Sequence, residues 1–254
     1  MAILEALADR PDGLPFNDLA AALDMPSASA HRLLRTLTDA DYVREDADSG
    51  RYIIGGRMMR LASRALDHRT QLRTLARPYL RELVARTHET ANLSTLDDGS
   101  ASFIDQVQSD RLVRAGTFLR SPLYCSASGK SLLAFQADAV RNELIEGLEL
   151  VVLTQHTIRD RAALEAELAR VRSLGYSVDD EEMEIGSRCV GAPVLLSGEP
   201  VAAISIAGPT TRITADEVRP LSAIVREVAE RLSASVTDQF PGLRAGELIN
   251  RFVG

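Results

Sequence analysis

Two clusters in this chain carry residue types that could do chemistry. Ser128-Gly129-Lys130-Ser131 offers hydroxyls, a glycine and a lysine in the order used to cradle phosphate. A full nucleotide-binding loop needs a glycine five residues before Gly129, and Tyr124 stands there. The nucleotide-binding motif is therefore incomplete, and that reading is not taken. What remains is a helix start, whose first-turn N–H groups lack internal partners and suit a carboxylate. The second cluster is Ser27-Ala28-Ser29, followed by His31, Arg32 and Arg35. No acid interrupts Ser27–Thr38, so these side chains suit the phosphates and base edges of duplex DNA.

Nucleophilic and metal chemistry are poorly provided for. Cys125 or Cys189 would need a base beside it to act as a thiolate. The chain has four histidines, His31, His68, His88 and His156, and His31 belongs to the DNA side. No H-E-x-x-H, C-x-x-C or H-x-H spacing occurs. Asp179-Asp180-Glu181-Glu182 with Glu184 could hold a cation, but such a run ordinarily forms a solvated loop, the reading taken for Asp180, Glu181 and Glu182. No catalytic residue, metal ligand or cofactor is expected, and the chain reads as a non-enzyme. A hydrolytic or small-molecule-binding protein with an N-terminal interaction module is the alternative, and it lacks a catalytic constellation.

The elements that must position these residues follow from periodicity and turn chemistry. A helix from Ile3 to about Asp9 stops at Pro11-Asp12-Gly13. Asn17 reads as the cap of a short helix running to Leu23, and Ser27 as the cap of a second one to about Ala40. On that second helix Ala30, Leu33, Leu34 and Leu37 recur at i, i+3, i+4 and i+7. This is one buried stripe, which turns Ser27, Ala28, His31, Arg32 and Arg35 outward. Tyr42–Arg44 and Arg51–Ile54 alternate around Asp48-Ser49-Gly50, a two-stranded wing with Arg51 placed to meet phosphate or minor groove. This succession is a winged helix-turn-helix, whose second helix enters the major groove.

Beyond the wing, a linker helix covers Arg57 to Leu66. A longer amphipathic helix spans about Thr70 to Thr87, kinked or divided at Pro78. Strands are expected at Asn92–Leu96 and Ser102–Val107 around the Asp97-Asp98-Gly99 turn, then at Tyr176–Val178, Val190–Leu196 and Val201–Ile206. Helices are expected over Ser126–Gln136, Arg161–Leu174 and, capped by Thr214, Ala215–Ser235. A segment from Glu247 to Phe252, after Pro241-Gly242, forms a docking tail. The order implies an α+β protein of two domains, the second a sheet with helices packed on it.

Net charge is −7, which alone argues against a polyanionic partner, but its distribution argues the other way. Residues 1–50 carry four Arg against ten acids (−6), residues 51–86 nine against two (+7), and residues 87–254 sixteen Arg or Lys against twenty-four (−8). The DNA-facing surfaces are locally basic within an acidic molecule. No run reaches the ~18 apolar residues of a membrane span, and the opening residues lack the character of a signal peptide. A cytoplasmic protein with no membrane partner is expected.

Eight fragments then fall in one order. They include His31-Arg32-Leu33-Leu34-Arg35-Thr36-Leu37, Gly50-Arg51-Tyr52, Ala76-Arg77-Pro78-Tyr79-Leu80 and Glu89-Thr90-Ala91-Asn92-Leu93. Ala127-Ser128-Gly129-Lys130-Ser131-Leu132-Leu133-Ala134, Gly175 to Glu182, Gly186-Ser187-Arg188-Cys189-Val190 and Ala203 to Pro209 complete the set. In these the chain resembles the IclR family of bacterial transcriptional regulators over nearly its full length. The resemblance implies a winged helix-turn-helix domain (1–55), a linker helix used in dimerisation (56–70) and a GAF-like, profilin-like effector domain (71–236), before a tail (237–254). It implies dimers, often paired into tetramers, on partly palindromic double-stranded operator DNA. It also implies a small organic acid in a pocket whose residues correspond here to Ser121, Ala127, Ser128, Gly129, Asp179, Cys189, Ser205 and Ala207. Three departures stand out. Relatives usually carry residues before the first helix. Tyr124-Cys125 replaces a His-Ala type of pair and would alter a pocket wall. Ala207 replaces a common Ser, which turns the expectation from a very small polar acid toward a larger aromatic one.

Overall fold

The computed structural model describes residues 2–8, 10, 12–22, 26–47, 49–113 and 119–248, with backbone alone at 2, 22 and 62–69. Asp9, Pro11, Leu23, Asp48 and the 249–252 part of the expected tail lie outside the described residues. The chain divides into two compact units, Met1–Asp67 and His68–Gly254.

In the first unit α1 (Ala2–Ala8), α2 (Phe16–Ala22) and α3 (Ser27–Asp39) precede a hairpin of β1 (Val43–Glu45) and β2 (Tyr52–Ile54). The strands pair antiparallel with Val43 opposite Ile54, and Leu14 adds a bridge to Tyr52. Gly50, at φ 63, takes the left-handed position in the wing turn. Ile3, Leu7, Leu19, Leu34 and Val43 form the small core.

Neither expected side-chain cap forms. α2 starts one residue early, with the Pro15 carbonyl accepting from the Asp18 and Leu19 N–H groups (3.1 and 3.2 Å), so Asn17 lies inside the first turn. The Pro26 carbonyl likewise accepts from Ser29 and Ala30 (2.9 and 3.1 Å), and Ser27 is already helical. In both places a proline with fixed φ sets the chain's entry into the helix. The buried stripe on α3 is also narrower than its periodicity implies. Ala30 and Leu34 are buried and Leu37 is half-buried, whereas Leu33 is 38% exposed. So small a core covers only the centre of the stripe.

α4 (Gly56–Thr87) is a single helix of 32 residues. The linker helix and its successor are continuous, and Pro78 removes one N–H without ending the helix. An antiparallel sheet follows, built from β3 (Thr90–Asp97), β4 (Ser100–Val107), β5 (Arg120–Pro122), β6 (Ser177–Asp180), β7 (Ser187–Leu196) and β8 (Glu199–Pro209). Its order is β5-β4-β3-β8-β7-β6. The strand period of two sorts the central residues. Ala91, Leu93, Val190, Ala192, Ile204 and Ile206 enter a core shared with Leu72, Ala76, Leu80 and Leu83 of α4 and with α8 (Ala215–Gln239). The intervening residues turn to the other face, toward α5 (Ala127–Ala134) and α7 (Arg161–Leu174). There Leu132, Leu133, Leu164, Leu168 and Val171 make a second core.

Two elements carried no readable pattern: β5 is three residues long, and α6 (Asp138–Gly147) buries only Ile145. α8 runs on to Gln239 rather than ending at Ser235, and Thr214 holds its N-cap position without a side-chain bond. Phe240, Ala245 and Leu248 join the first core, so the described part of the tail docks. Among the described residues no helix is long and apolar enough to cross a membrane.

Candidate functional site

Cross-strand register builds one wall of a cavity in the second unit. Asp179, Cys189 and Ala207 are neighbours across β6, β7 and β8. Gly191, Ser205 and Asn92 are neighbours across β7, β8 and β3 in the next row. Residues two apart share a face, so both rows look toward α5. Gly191 lets that helix approach: a β-carbon there would stand 3.0 Å from the Ala127 carbonyl. Gln106 extends the second row, its Nε2 donating to Asn92 Oδ1 at 2.8 Å.

α5 supplies the opposite wall. Ser126 caps it, with Oγ accepting from the Gly129 N–H at 3.0 Å. The same hydroxyl donates to the Pro122 carbonyl (2.6 Å) and accepts from Ser121 Oγ (3.0 Å). A β-carbon on Gly129 would lie 2.5 Å from the Pro122 carbonyl oxygen, so the fold of the loop over the helix requires glycine. The N–H groups of Ala127 and Ser128 have no hydrogen-bond partner among the described residues. Ser128 Oγ donates to Ser205 Oγ at 3.0 Å, joining the two walls.

The cavity between these walls is about 290 Å³. Of the residues expected there, Ser121, Ala127, Ser128, Asp179, Cys189, Ser205 and Ala207 line it. Gly129 does not; it stands one residue further along α5 and gives its N–H to the cap. Ser126, within the Ser121–Gly129 segment expected there, lines it too, whereas sequence reasoning missed Asn92, Phe103 and Gln106 on one side and Met183, Glu184 and Ser187 on the other. One signal was available: Asn92 is a polar residue inside an otherwise apolar strand segment, Ala91–Leu93. Tyr124 and Cys125, expected in a wall, belong instead to the second core, and the Tyr124 hydroxyl donates to the Val151 carbonyl at 2.8 Å.

No Lys, Arg or His lines this cavity among the described residues, so an anion inside it would be held by dipoles alone. Burial pushes the Asp179 carboxyl up to about 6, against the opposing pull of Lys130. Its Oδ1 accepts from the Glu182 and Met183 N–H groups at 2.9 and 3.3 Å. Burial lifts the Cys189 thiol well above its ordinary value and Cys125 to about 12, so neither is a thiolate at neutral pH. Glu182, expected in solvent, is 7% exposed because it is paired with the fully buried Lys130. Asp180 does remain exposed, paired with Arg188 at 2.7 Å.

In the first unit, Ser27, Ala28, His31, Arg32 and Arg35 are exposed on α3 and Ser29 is half-buried. Arg32 and Arg35 form no ion pair among the described residues. The His31 ring stacks on Phe16 with centroids 3.8 Å apart, which orients it. Arg51 is half-buried, and its Nε donates to the Gly13 carbonyl at 3.2 Å, tying the wing to the loop before α2.

Comparison with known proteins covers both units. Residues 64–234 match the family model of the bacterial transcriptional regulator IclR C-terminal domain, and residues 1–47 match that of the IclR helix-turn-helix domain. The chain belongs to the IclR family. It is 34% identical to the transcriptional repressor IclR of Escherichia coli over 95% of this chain and 88% of that one. The Thermotoga maritima IclR crystal structure aligns with a TM-score of 0.64 at 30% identity, covering 92% of this chain and 95% of that chain. An IclR homolog from Microbacterium hydrocarbonoxydans, crystallised with 4-hydroxybenzoate, aligns at 0.64 and 25% identity over 93% of this chain and 97% of that one. IclR-family membership makes this a DNA-binding transcriptional regulator, not an enzyme. Its second unit carries the family's GAF-like sheet, and its first carries the winged helix-turn-helix.

Proposed function

We propose that this chain is a cytoplasmic, ligand-responsive regulator of a catabolic operon, with an effector acid seated in the cavity between α5 and the β7–β8 face. The observation that carries the reading is the pairing of Ser128 Oγ with Ser205 Oγ beside two unpartnered N–H groups of α5. Those donors suit a carboxylate, and the Asp179 carboxylate suits a hydroxyl or N–H at the far end of the same molecule. Phe103 and Met183 supply apolar wall. A cavity of about 150 Å³ accepts benzene, so one of about 290 Å³ has room for a substituted single-ring acid. The relative bound to 4-hydroxybenzoate supports that class.

On the DNA side, residues 1–55 carry the reading head. Ser27, Ala28, Ser29, His31, Arg32 and Arg35 meet the major groove, and Arg51 meets the backbone from the wing. A dimer, or a tetramer made of two, sets two such helices roughly 34 Å apart on a palindromic operator. Residues 56–70 act as the dimerisation linker, 71–236 as the effector domain and 237–254 as its tail. An effector that binds one arrangement of the dimer better shifts operator affinity, roughly 5–150-fold for a coupling of about 1–3 kcal/mol.

The test is a thermal-shift screen of single-ring and short-chain carboxylic acids on the full chain, then a gel-shift titration of its own upstream DNA with and without each hit. A true effector at ~100 times its dissociation constant adds about 2.7 kcal/mol and changes the DNA midpoint. No stabilisation by any acid, or DNA binding indifferent to the hits, would reject the proposal.

A further inference from the structure

We propose that Lys130 and Glu182 are positioning residues of the cavity: their buried ion pair clamps the 181–187 segment against α5 and fixes the spacing between the two walls. The inference rests on the reading of this cavity as the effector site. Neither residue lines the cavity; each sits directly behind residues that do. Ser126, Ala127 and Ser128 precede Lys130 on one wall, and Met183, Glu184 and Ser187 follow Glu182 on the other.

Glu182 is the junction of that second wall. Its carboxylate takes Lys130, its N–H donates to Asp179 Oδ1 at 2.9 Å, and its carbonyl accepts from Thr157 Oγ1 at 2.7 Å. The chain reverses at Glu181, a non-glycine residue at φ 59. That conformation is held by Thr154 Oγ1 donating to the Glu181 carbonyl and by the Gly186 N–H donating to Glu181 Oε1, both at 2.7 Å. A strained backbone persists only where its surroundings over-determine it. On the other side, Glu167 of α7 stands 3.5 Å from Lys130 Nζ and is itself gripped by Arg170 at 2.7 and 2.8 Å.

Stability does not account for an ammonium in this position. Burying an ion pair is often no better for stability than a well-packed apolar pair of the same volume. What an ion pair adds is direction and distance, which an apolar contact leaves loose. Glu182 Oε2 has no hydrogen-bond partner among the described residues, so the clamp is single-armed and a small displacement of the segment breaks it.

The test uses the full chain with Lys130→Met, Glu182→Gln and the double variant Lys130→Met/Glu182→Leu, each checked for a cooperative melt. Two signals are read. One is the rate of N-ethylmaleimide capture at Cys189, which lines the cavity, against the fully buried Cys125 as control. The other is the affinity for 4-hydroxybenzoate by calorimetry. Lys130→Met should raise Cys189 capture about tenfold as the wall loosens, and Glu182→Gln less. The double variant should be no worse than Lys130→Met, because that single substitution already breaks the Lys130–Glu182 pair and leaves the Glu182 carboxylate buried without it. Affinity for 4-hydroxybenzoate should fall in the same order. If Lys130→Met fails to melt cooperatively, Glu182→Gln and the double variant decide. Unchanged Cys189 capture in the folded variants overturns the proposal, as does faster capture with unchanged affinity. If the unsubstituted chain binds no 4-hydroxybenzoate while the variants still expose Cys189, the clamp stands and the aromatic-acid reading falls.

Discussion

α3 and the α5 cavity hold their functional groups in opposite ways. Arg32 and Arg35 are exposed, solvated and without ion pairs among the described residues, on a helix anchored by little more than Ala30 and Leu34. Asp179, Lys130 and Glu182 are buried, and each keeps its place only because another group answers its charge or its lone pairs. An exposed guanidinium costs nothing to hold ready, whereas a buried ion costs several kcal/mol unless it is paired. In the head, fold and chemistry are therefore separable; in the cavity they are the same interactions. That difference decides which substitutions will damage function alone and which will damage structure with it.

The sharpest way to break the comparison is to attack the head through its core. Leu34 is buried at the centre of a five-residue cluster. Leu34→Ala should cost about 2–5 kcal/mol, a large fraction of what so small a core supplies. Calorimetry should show the first unit lost and the second intact, with operator binding abolished and effector binding kept. Loss of effector binding as well would mean that the two units are not independent in stability.

Acidity probes the other region. Asp179 titrates at about 6 against an ordinary 3.8, and Glu182 at about 7 against 4.5, both raised chiefly by burial. Each binds its proton more tightly when folded, so each favours folding at low pH and loses that contribution as pH rises through 6 to 7. For Asp179 alone the whole swing is about 3 kcal/mol, most of it below pH 5.5, and about 1 kcal/mol falls between pH 8 and pH 5.5. The half-buried Glu82 and the exposed Glu227, lowered by Arg231 and Arg86, work in the opposite direction but only below their ordinary range. Melting of the second unit should therefore rise between pH 8 and pH 5.5, and Asp179→Asn should flatten that slope. A melting temperature that falls over this interval contradicts the burial argument.

A smaller effect tests the separability of the head. Arg35→Ala should weaken operator binding by about 1–3 kcal/mol and reduce its salt dependence if the contact is to phosphate, with no change in melting. A fall in melting temperature would place Arg35 among the structural residues.

How far the sequence disclosed these regions follows the same divide. Long amphipathic periods and glycine turns located α7 to the residue, and α3, the wing and the hairpin of β3 and β4 to within one or two residues, because those signals are local. Resemblance to the IclR family named seven residues that line the cavity. Leu33, the caps at Asn17 and Ser27, and the solvated reading of Glu182 went astray for one reason. Each depended on what packs alongside, and local periodicity carries no record of the neighbour. Met183, Glu184 and Ser187 were invisible for the same cause, since a charged loop reads as solvated until Lys130 is seen behind it.

The smallest predicted effect is also the most discriminating. Ser205 sits in the middle of the sheet, 3% exposed, with Asn92 and Gly191 as strand neighbours and Ser128 Oγ at 3.0 Å. If it is merely a strand residue bonded to Ser128, Ser205→Ala removes one neutral hydrogen bond, and stability falls by about 0.5–1.5 kcal/mol with or without an acid present. If it also donates to an effector, the loss appears a second time, as roughly threefold to tenfold weaker acid binding on top of the lower melting temperature. Ser128→Ala separates the cases further, because it leaves Ser205 Oγ free to turn wholly toward the ligand. Binding that drops in Ser205→Ala and holds in Ser128→Ala assigns the effector contact to Ser205. Equal drops assign it to the hydroxyl pair acting together, and no drop in either leaves recognition to the α5 backbone.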